Sequence, residues 1–206
     1  MALFEKLKRA DWRAEIFWRL RDLHRWWIHV WYTFVEGRKA RLMGVKLGRN
    51  VTFNGKTRIE RFKHSIIEIG DKVTFNAHPL HNQICRSYNV IQTITDFAEI
   101  HIGNNCGFSG VRIKSEAGIF IGNNVTVGAN SLIMDSDVHP EILGTQPSPI
   151  HIGDNVFIGM DCRILKGVTI GEGAIIGAGS IVNKDIPAHA IAAGVPCRVI
   201  KMIEGD

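Results

Sequence analysis

The sequence predicts a mainly β protein: a solenoid of short strands with an N-terminal amphipathic α-helical arm. Three observations predict it. An aliphatic residue returns every six positions at Ile152, Ile158, Ile164, Ile170, Ile176 and Val182. A glycine follows most members of that series, among them Gly153, Gly159, Gly171 and Gly177. All five tryptophans fall between residues 12 and 31, ahead of the repeat. A chain of 206 residues suits one domain with a short appendage. The predicted division is an arm over 1–46, a solenoid over 47–187 with a loop inserted at about 139–151, and a tail over 188–206.

The arm carries the charge. Residues 1–50 hold 12 Lys/Arg against 5 Asp/Glu, whereas residues 51–206 hold 13 against 15. At about 100° per residue, Trp12, Ile16, Leu20, Leu23, Trp27, Val30, Trp31 and Phe34 share one stripe. This predicts an amphipathic helix in two pieces, ending near Gly37. The stripe either packs on the solenoid or a partner subunit, or makes a peripheral membrane contact through residues 1–37, as basic Trp-rich helices do. It does not span a bilayer. The run "WWIHVWYTFV", 26–35, would reach about 15 Å as a helix, half a bilayer core. Residues 1–25 show no signal-peptide pattern, so the expected location is cytoplasmic, with a place at the inner face of the membrane as the variant. The basic residues form no nucleic-acid-reading motif, and no nucleic-acid partner is expected.

The repeat continues at Ile121, Val127 and Ile133, and more faintly at Ile102 and Phe108, Ile69 and Phe75, and Leu47, Phe53 and Ile59. Four residues after each aliphatic stands a small or β-branched residue, as at Val73, Cys106, Val125, Ser131, Cys162, Ala174 and Ser180. A helix wants a period near 3.6 and a strand a period of two, so a period of six requires a coil. Each hexad is one flat side, its aliphatic pointing to the axis, and coils stack about 4.8 Å apart. The glycine is expected to supply unusual backbone angles at the corner. Cys106 and Cys162 fall in the small inward slots and read as inert packing residues. The four cysteines form no CxxC pair, which argues against a zinc site or a disulfide framework.

The rhythm breaks twice. Between the coils 121–138 and 152–169 lie thirteen extra residues, 139–151, and long excursions from compact solenoids are usually functional. His139 stands where that loop leaves the coil, with Asp137 two residues before it; Asp135 reads as a solvated corner residue. The second break, 76–89, holds His78, His81, Arg86 and Tyr88.

Tandem [LIV]-G-x4 resembles the signature of the hexapeptide-repeat acyltransferases, over roughly residues 47–203. The resemblance implies a left-handed parallel β-helix, although strand physics alone favours right-handed crossovers. It is densest in "PIHIGDNVFIGMDCRILKGVTIGEGAIIGAGSIVNKDIPAHAIAAGVPCRVIK", 149–201, which is similar to the coenzyme A end of sugar O-acetyltransferases. The segments "NNCGFSGVRI" and "MDSDVHP" resemble acetyltransferases encoded with surface-polysaccharide synthesis. The implied activity is transfer of acetyl from acetyl-CoA to a sugar hydroxyl. N-acetylation of an amino sugar or nucleotide sugar, or acetylation of an antibiotic, would use the same fold and base.

By the same resemblance His139, in its D-x-H-P setting, matches the catalytic histidine, a natural base near working pH. Asp137 either orients the imidazole or serves acceptor binding or a corner hydrogen bond. Met160, Ala178, Asn183 and Lys184 would line the coenzyme track, and Arg198 and Lys201 would face its phosphates. Met160 and Asn183 depart from the family, which often has a small or hydroxylated residue and a Thr there. Ser109 stands where maltose-type enzymes carry an active-site asparagine. The resemblance also implies a homotrimer with coenzyme grooves between subunits. No metal is expected: His101 and His151 lie two coils apart, too far to converge on zinc.

Overall fold

The computed structural model of the protein describes residues 12–137 and 144–203. A helix, α1 (Trp12–Leu42), precedes β1 (Lys46–Leu47), β2 (Thr52–Asn54) and β3 (Thr57–Glu60), which form the first coil. The second holds β4 (Ile66–Ile69), β5 (Thr74–Asn76) and β6 (Asn89–Thr93), and the third β7 (Glu99–Ile102), β8 (Gly107–Ser109) and β9 (Arg112–Ser115). The fourth holds β10 (Gly118–Ile121), β11 (Thr126–Val127) and β12 (Leu132–Met134), and the fifth β13 (Ile150–Ile152), β14 (Phe157–Ile158) and β15 (Arg163–Ile164). After β16 (Thr169–Ile170), β17 (Ile175–Ile176) and β18 (Ile181–Val182), a hairpin of β19 (Ala190–Gly194) and β20 (Cys197–Met202) closes the end. Through β18 every third strand pairs in parallel, giving three sheets that begin at β1, β2 and β3; β19 then pairs in parallel with β17 and antiparallel with β20. This is the left-handed parallel β-helix that the family resemblance implies.

Register puts the aliphatics in columns. Ile69, Ile102, Ile121, Ile152 and Ile170 are successive partners in one sheet. Ile59, Ile91, Ile113, Ile133, Ile164 and Val182 are partners in another. All are buried, and each fully buried Ile contributes on the order of 1.5–3 kcal/mol. In the third sheet Phe53, Phe75 and Phe108 stack at 5.4 and 5.2 Å between ring centres. The small slots are buried too, and the Sγ atoms of Cys106 and Cys162 donate to the carbonyls of Gly122 and Gly177 at 3.2 Å. Burial pushes both thiols up.

The corner glycines do a different job from the one expected. The left-handed angle falls two residues later, at Asn105, Asn124, Asn155 and Gly173, where φ is 57, 57, 59 and 65°. Asparagine tolerates that region well. The glycine after the aliphatic is required by the next coil: a Cβ on Gly103 would lie 2.5 Å from the Gly122 carbonyl oxygen, and one on Gly128 2.5 Å from the Met160 nitrogen.

The arm also differs from expectation. It is one continuous helix past Gly37, because an interior glycine costs only about 1 kcal/mol against alanine; Gly44, at φ 77°, follows its end. The face turned to the solenoid is Arg21, Arg25, Ile28, His29, Tyr32, Thr33, Glu36 and Ala40, a seam at steps of three and four. It is fixed by the Phe53 amide donating to Thr33 Oγ1 at 3.0 Å and by His29 Nδ1 meeting Asn54 Oδ1 at 2.9 Å. The apolar stripe points the other way, with Trp12, Leu20, Trp27, Trp31 and Phe34 58–62% exposed. It does not pack on its own solenoid.

Candidate active site

The sheet that begins at β3 is flanked by two edges, and the predicted site residues divide between them. The first edge follows the sheet that begins at β2. There Asn130 donates its amide to the Ser109 carbonyl at 3.0 Å, Asp161 to Ala129 at 2.8 Å, and Gly179 to Met160 at 2.8 Å. Ser109, Met160 and Ala178 thus stand on the third, fifth and sixth turns of one ledge, with Ala129 and Asn130 on the fourth. It continues to Ala193, whose Cβ would lie 2.7 Å from a Cβ on Gly177, and Ala193 is paired with Arg198 across the closing hairpin. Met160, Ala178, Arg198 and Lys201 are all exposed. This ledge offers stacked backbone and an apolar side chain, with cations at one end, which suits a long flexible thioester with phosphates at its far end.

The second edge carries Asp137, Lys166, Asn183 and Lys184. His139 belongs to its loop and lies outside the described residues. The loop is real in the register: Ile121 pairs with Ile152, thirteen residues beyond the step of eighteen from Ile152 to Ile170. Asp137 ties its mouth. One carboxylate oxygen accepts from Thr145 Oγ1 at 2.5 Å and from Lys166 Nζ, and Lys166 also donates to the Gln146 carbonyl at 3.4 Å. Lys166, then Thr145, holds the Asp137 carboxyl below the ordinary range.

Asp135 corrects the sequence reading. It is fully buried rather than solvated, and its carboxylate accepts from Ser115 Oγ (2.8 Å) and from the amides of Glu116 (2.7 Å), Ala117 (2.9 Å) and Gly118 (2.8 Å). The turn into β10 leaves those donors without strand partners, and the carboxylate from the next coil satisfies them.

The 76–89 segment serves two places. His81 Nε2 lies 3.3 Å from the Arg25 carbonyl, and the His78 and His24 rings are 6.4 Å apart, so this half docks on α1. Burial, first of all, lowers the pKa of both His78 and His81. The other half reaches the first edge: the Arg86 amide donates to Asn130 Oδ1 at 2.8 Å, and its guanidinium meets Asp161 at 3.4 Å. Lys56 sits over the Tyr88 ring. Phe120 lies between His101 and His151, with ring centres at 5.3 and 4.9 Å. Among the described residues no group of three or more His, Cys, Asp and Glu is arranged to hold a metal ion.

Sequence reasoning missed Lys166, whose only signal is a lysine in a corner slot, two residues after an inward Ile164. It also missed Arg112 and Arg163, each just before an inward isoleucine and therefore facing outward.

Residues 149–184 match the family described as bacterial transferase hexapeptide (six repeats). The galactoside O-acetyltransferase of Escherichia coli (strain K12) is 46% identical over 113 residues, 52% of this chain and 55% of that protein. The chain spans about half the length of the curated relatives it matches. A hexapeptide-repeat acetyltransferase structure from Vibrio cholerae superposes with a TM-score of 0.51 at 26% identity, over 66% of this chain and 74% of that one. A Bacillus cereus N-acyltransferase in complex with dTDP and 3-hydroxybutyryl-CoA shares the fold, with a TM-score of 0.58 at 18% identity over 82% and 88% of the two chains.

Proposed function

Since this chain belongs to the hexapeptide-repeat transferase family, we propose that it moves an acetyl group from acetyl-CoA to a sugar hydroxyl in the synthesis of a surface polysaccharide. The observation that carries this reading is the pair of edges flanking one sheet. On one, an exposed ledge runs from Met160 through Ala178 to Ala193 and ends beside Arg198. On the other, Asp137 ties down the mouth of the loop that holds His139. The likeness to a galactoside O-acetyltransferase supports a sugar as acceptor.

In this reading Arg198 and Lys201 hold the phosphates of the donor, and backbone groups along the ledge hold its arm, which makes the departures at Met160 and Asn183 tolerable. His139 takes the proton of the acceptor hydroxyl as the oxygen attacks the thioester carbonyl. The tetrahedral adduct collapses by breaking its C–S bond, and the imidazolium returns the proton to the leaving sulfur. Asp137 acts as a positioning residue that holds the loop, and Ser109 offers its hydroxyl to the acceptor.

Within one chain the two edges lie on opposite margins of one sheet: Ala178 precedes β18 and Lys184 follows it. We therefore place the site between copies of a homotrimer, the loop of one against the ledge of the next, under closed cyclic symmetry. Asn183 and Lys184 would then reach the coenzyme from the loop side. The outward stripe of α1, with its basic surroundings, lies in this proposal at the inner face of the membrane, on the cytoplasmic side. Among the described residues no helix is long and apolar enough to cross a membrane.

His139→Ala tests the mechanism. Turnover should fall by about 10²- to 10⁴-fold while calorimetry shows coenzyme A affinity nearly intact. Retained turnover removes His139 from the reaction.

A further inference from the structure

The outward column of the sheet that begins at β3 reads, by register, Arg58, Val90, Arg112, Leu132, Arg163 and Ile181. A cavity of about 610 Å³ opens over its middle, walled by Arg112, Leu132 and Arg163 and by Arg86, Asn130 and Asp161 from the first edge. Its charge is one-sided. Among the described residues Asp161 is the only acid on the wall, and it is engaged by Arg86 at 3.4 Å. Arg112 and Arg163 are exposed and make no ion pair among the described residues. Their Cα atoms flank Leu132, one coil to each side, and so stand about 10 Å apart.

The wall is also held in place. Asn130, at φ 63°, accepts the Arg86 amide at 2.8 Å and donates Nδ2 to the Ile84 carbonyl at 3.2 Å, which presents Arg86 to the cavity. Guanidinium forks match carboxylate, phosphate and sulfate oxygens in a way that a surface lysine does not. Leu132, half-buried between the two arginines, offers an apolar patch to the C–H face of a sugar ring.

Chain continuity ties the cavity to the reaction. Gly110, on its rim, follows Ser109, and Asp161 follows Met160. The anions of the donor belong elsewhere, because Arg198 stands at the closing hairpin, two turns beyond Met160. The donor's arm between phosphates and sulfur is uncharged, so an anion at coils three to five must come from the acceptor. Resting on the acetyl-transfer reading, we infer that this cavity is an acceptor subsite for an anionic glycan, one whose units bear carboxylate, phosphate or sulfate groups.

The test uses the full chain on an array of oligosaccharide pairs that differ only by a carboxylate, a phosphate or a sulfate, read at low and high salt. The charged member of a pair should be retained, retention should weaken with salt, and the arms of the array identify the anion. Arg112→Gln with Arg163→Gln should lower that retention by about tenfold or more, as loss of charge-assisted hydrogen bonds implies. Coenzyme A affinity should stay within about twofold, since the donor's cations lie elsewhere. Equal retention of neutral and charged members, retention of neither, or unchanged retention by the double variant overturns the inference. So does a double variant that no longer has the wild-type mass in solution, which would assign the arginines to a contact between copies. Release of free CoA with neutral sugars separates the two levels: if it occurs without charge preference, the acetyl-transfer reading stands and only the subsite fails.

Discussion

Asp135 and Asp137 stand two residues apart and are held by different physics. Asp135 is sealed under four donors, three of them backbone amides. Replacing it with alanine strands those groups at about 1–3 kcal/mol each. Asp135→Ala should therefore cost at least about 3 kcal/mol in urea unfolding at fixed protein concentration; a loss under about 1 kcal/mol would show that the turn into β10 does not depend on it. Asp137 is a titrating tie. With its carboxyl held down by Lys166 and Thr145, its contribution is complete above the ordinary carboxylate value of about 3.9 and is lost as pH falls through the lowered one. The protection factor of the Ser148 amide, which donates to the Asp135 carbonyl at 2.9 Å, should be constant above about pH 5 and fall below about pH 4; protection lost near pH 6 would mean that another group holds the loop mouth. Both aspartates are plain in the sequence, but their surroundings are not, because the donors around Asp135 and the lysine on Asp137 come from other coils.

At the scale of the element, the hexad was readable in most of its parts. The inward aliphatics and small slots follow from the period alone and are buried as expected. The role of the glycine was not readable, because a close approach between coils leaves the same residue in the sequence as a left-handed φ does. The two explanations separate by mutation. Gly103→Ala would force its Cβ to within 2.5 Å of a carbonyl oxygen of the next coil and should cost about 1–3 kcal/mol by overpacking. Asn124→Gly, at φ 57°, should shift stability by no more than about 1 kcal/mol; the reverse ranking in thermal unfolding would return the strain to the glycine. For α1 the period located the apolar stripe correctly, but the helix docks through its half-polar seam, which no hydropathy pattern singles out. With Trp27 and Trp31 turned outward, Trp27→Ser with Trp31→Ser should leave the melting temperature unchanged and abolish flotation with anionic liposomes. Undiminished flotation removes the stripe from any membrane contact.

At the scale of the whole molecule, a solenoid sorts side chains by side and by turn. Residues as distant in sequence as 86, 112 and 163 meet on one wall, while Ala178 and Lys184, six residues apart, end on opposite edges. Spacing along the chain therefore disclosed the fold and the family resemblance, and left the arginine wall hidden. The same sorting supports the proposal that the imidazole and the donor ledge of one reaction belong to different copies. The most direct measurement is CoA release by mixed trimers of His139→Ala with Ala178→Trp, each inactive alone, the second by obstructing the ledge. Every mixed trimer has one junction where an intact loop meets an intact ledge, so random mixing should restore about a quarter of wild-type activity. A mixture no more active than either variant alone, though shown by mass to have exchanged subunits, would contradict a site shared between copies.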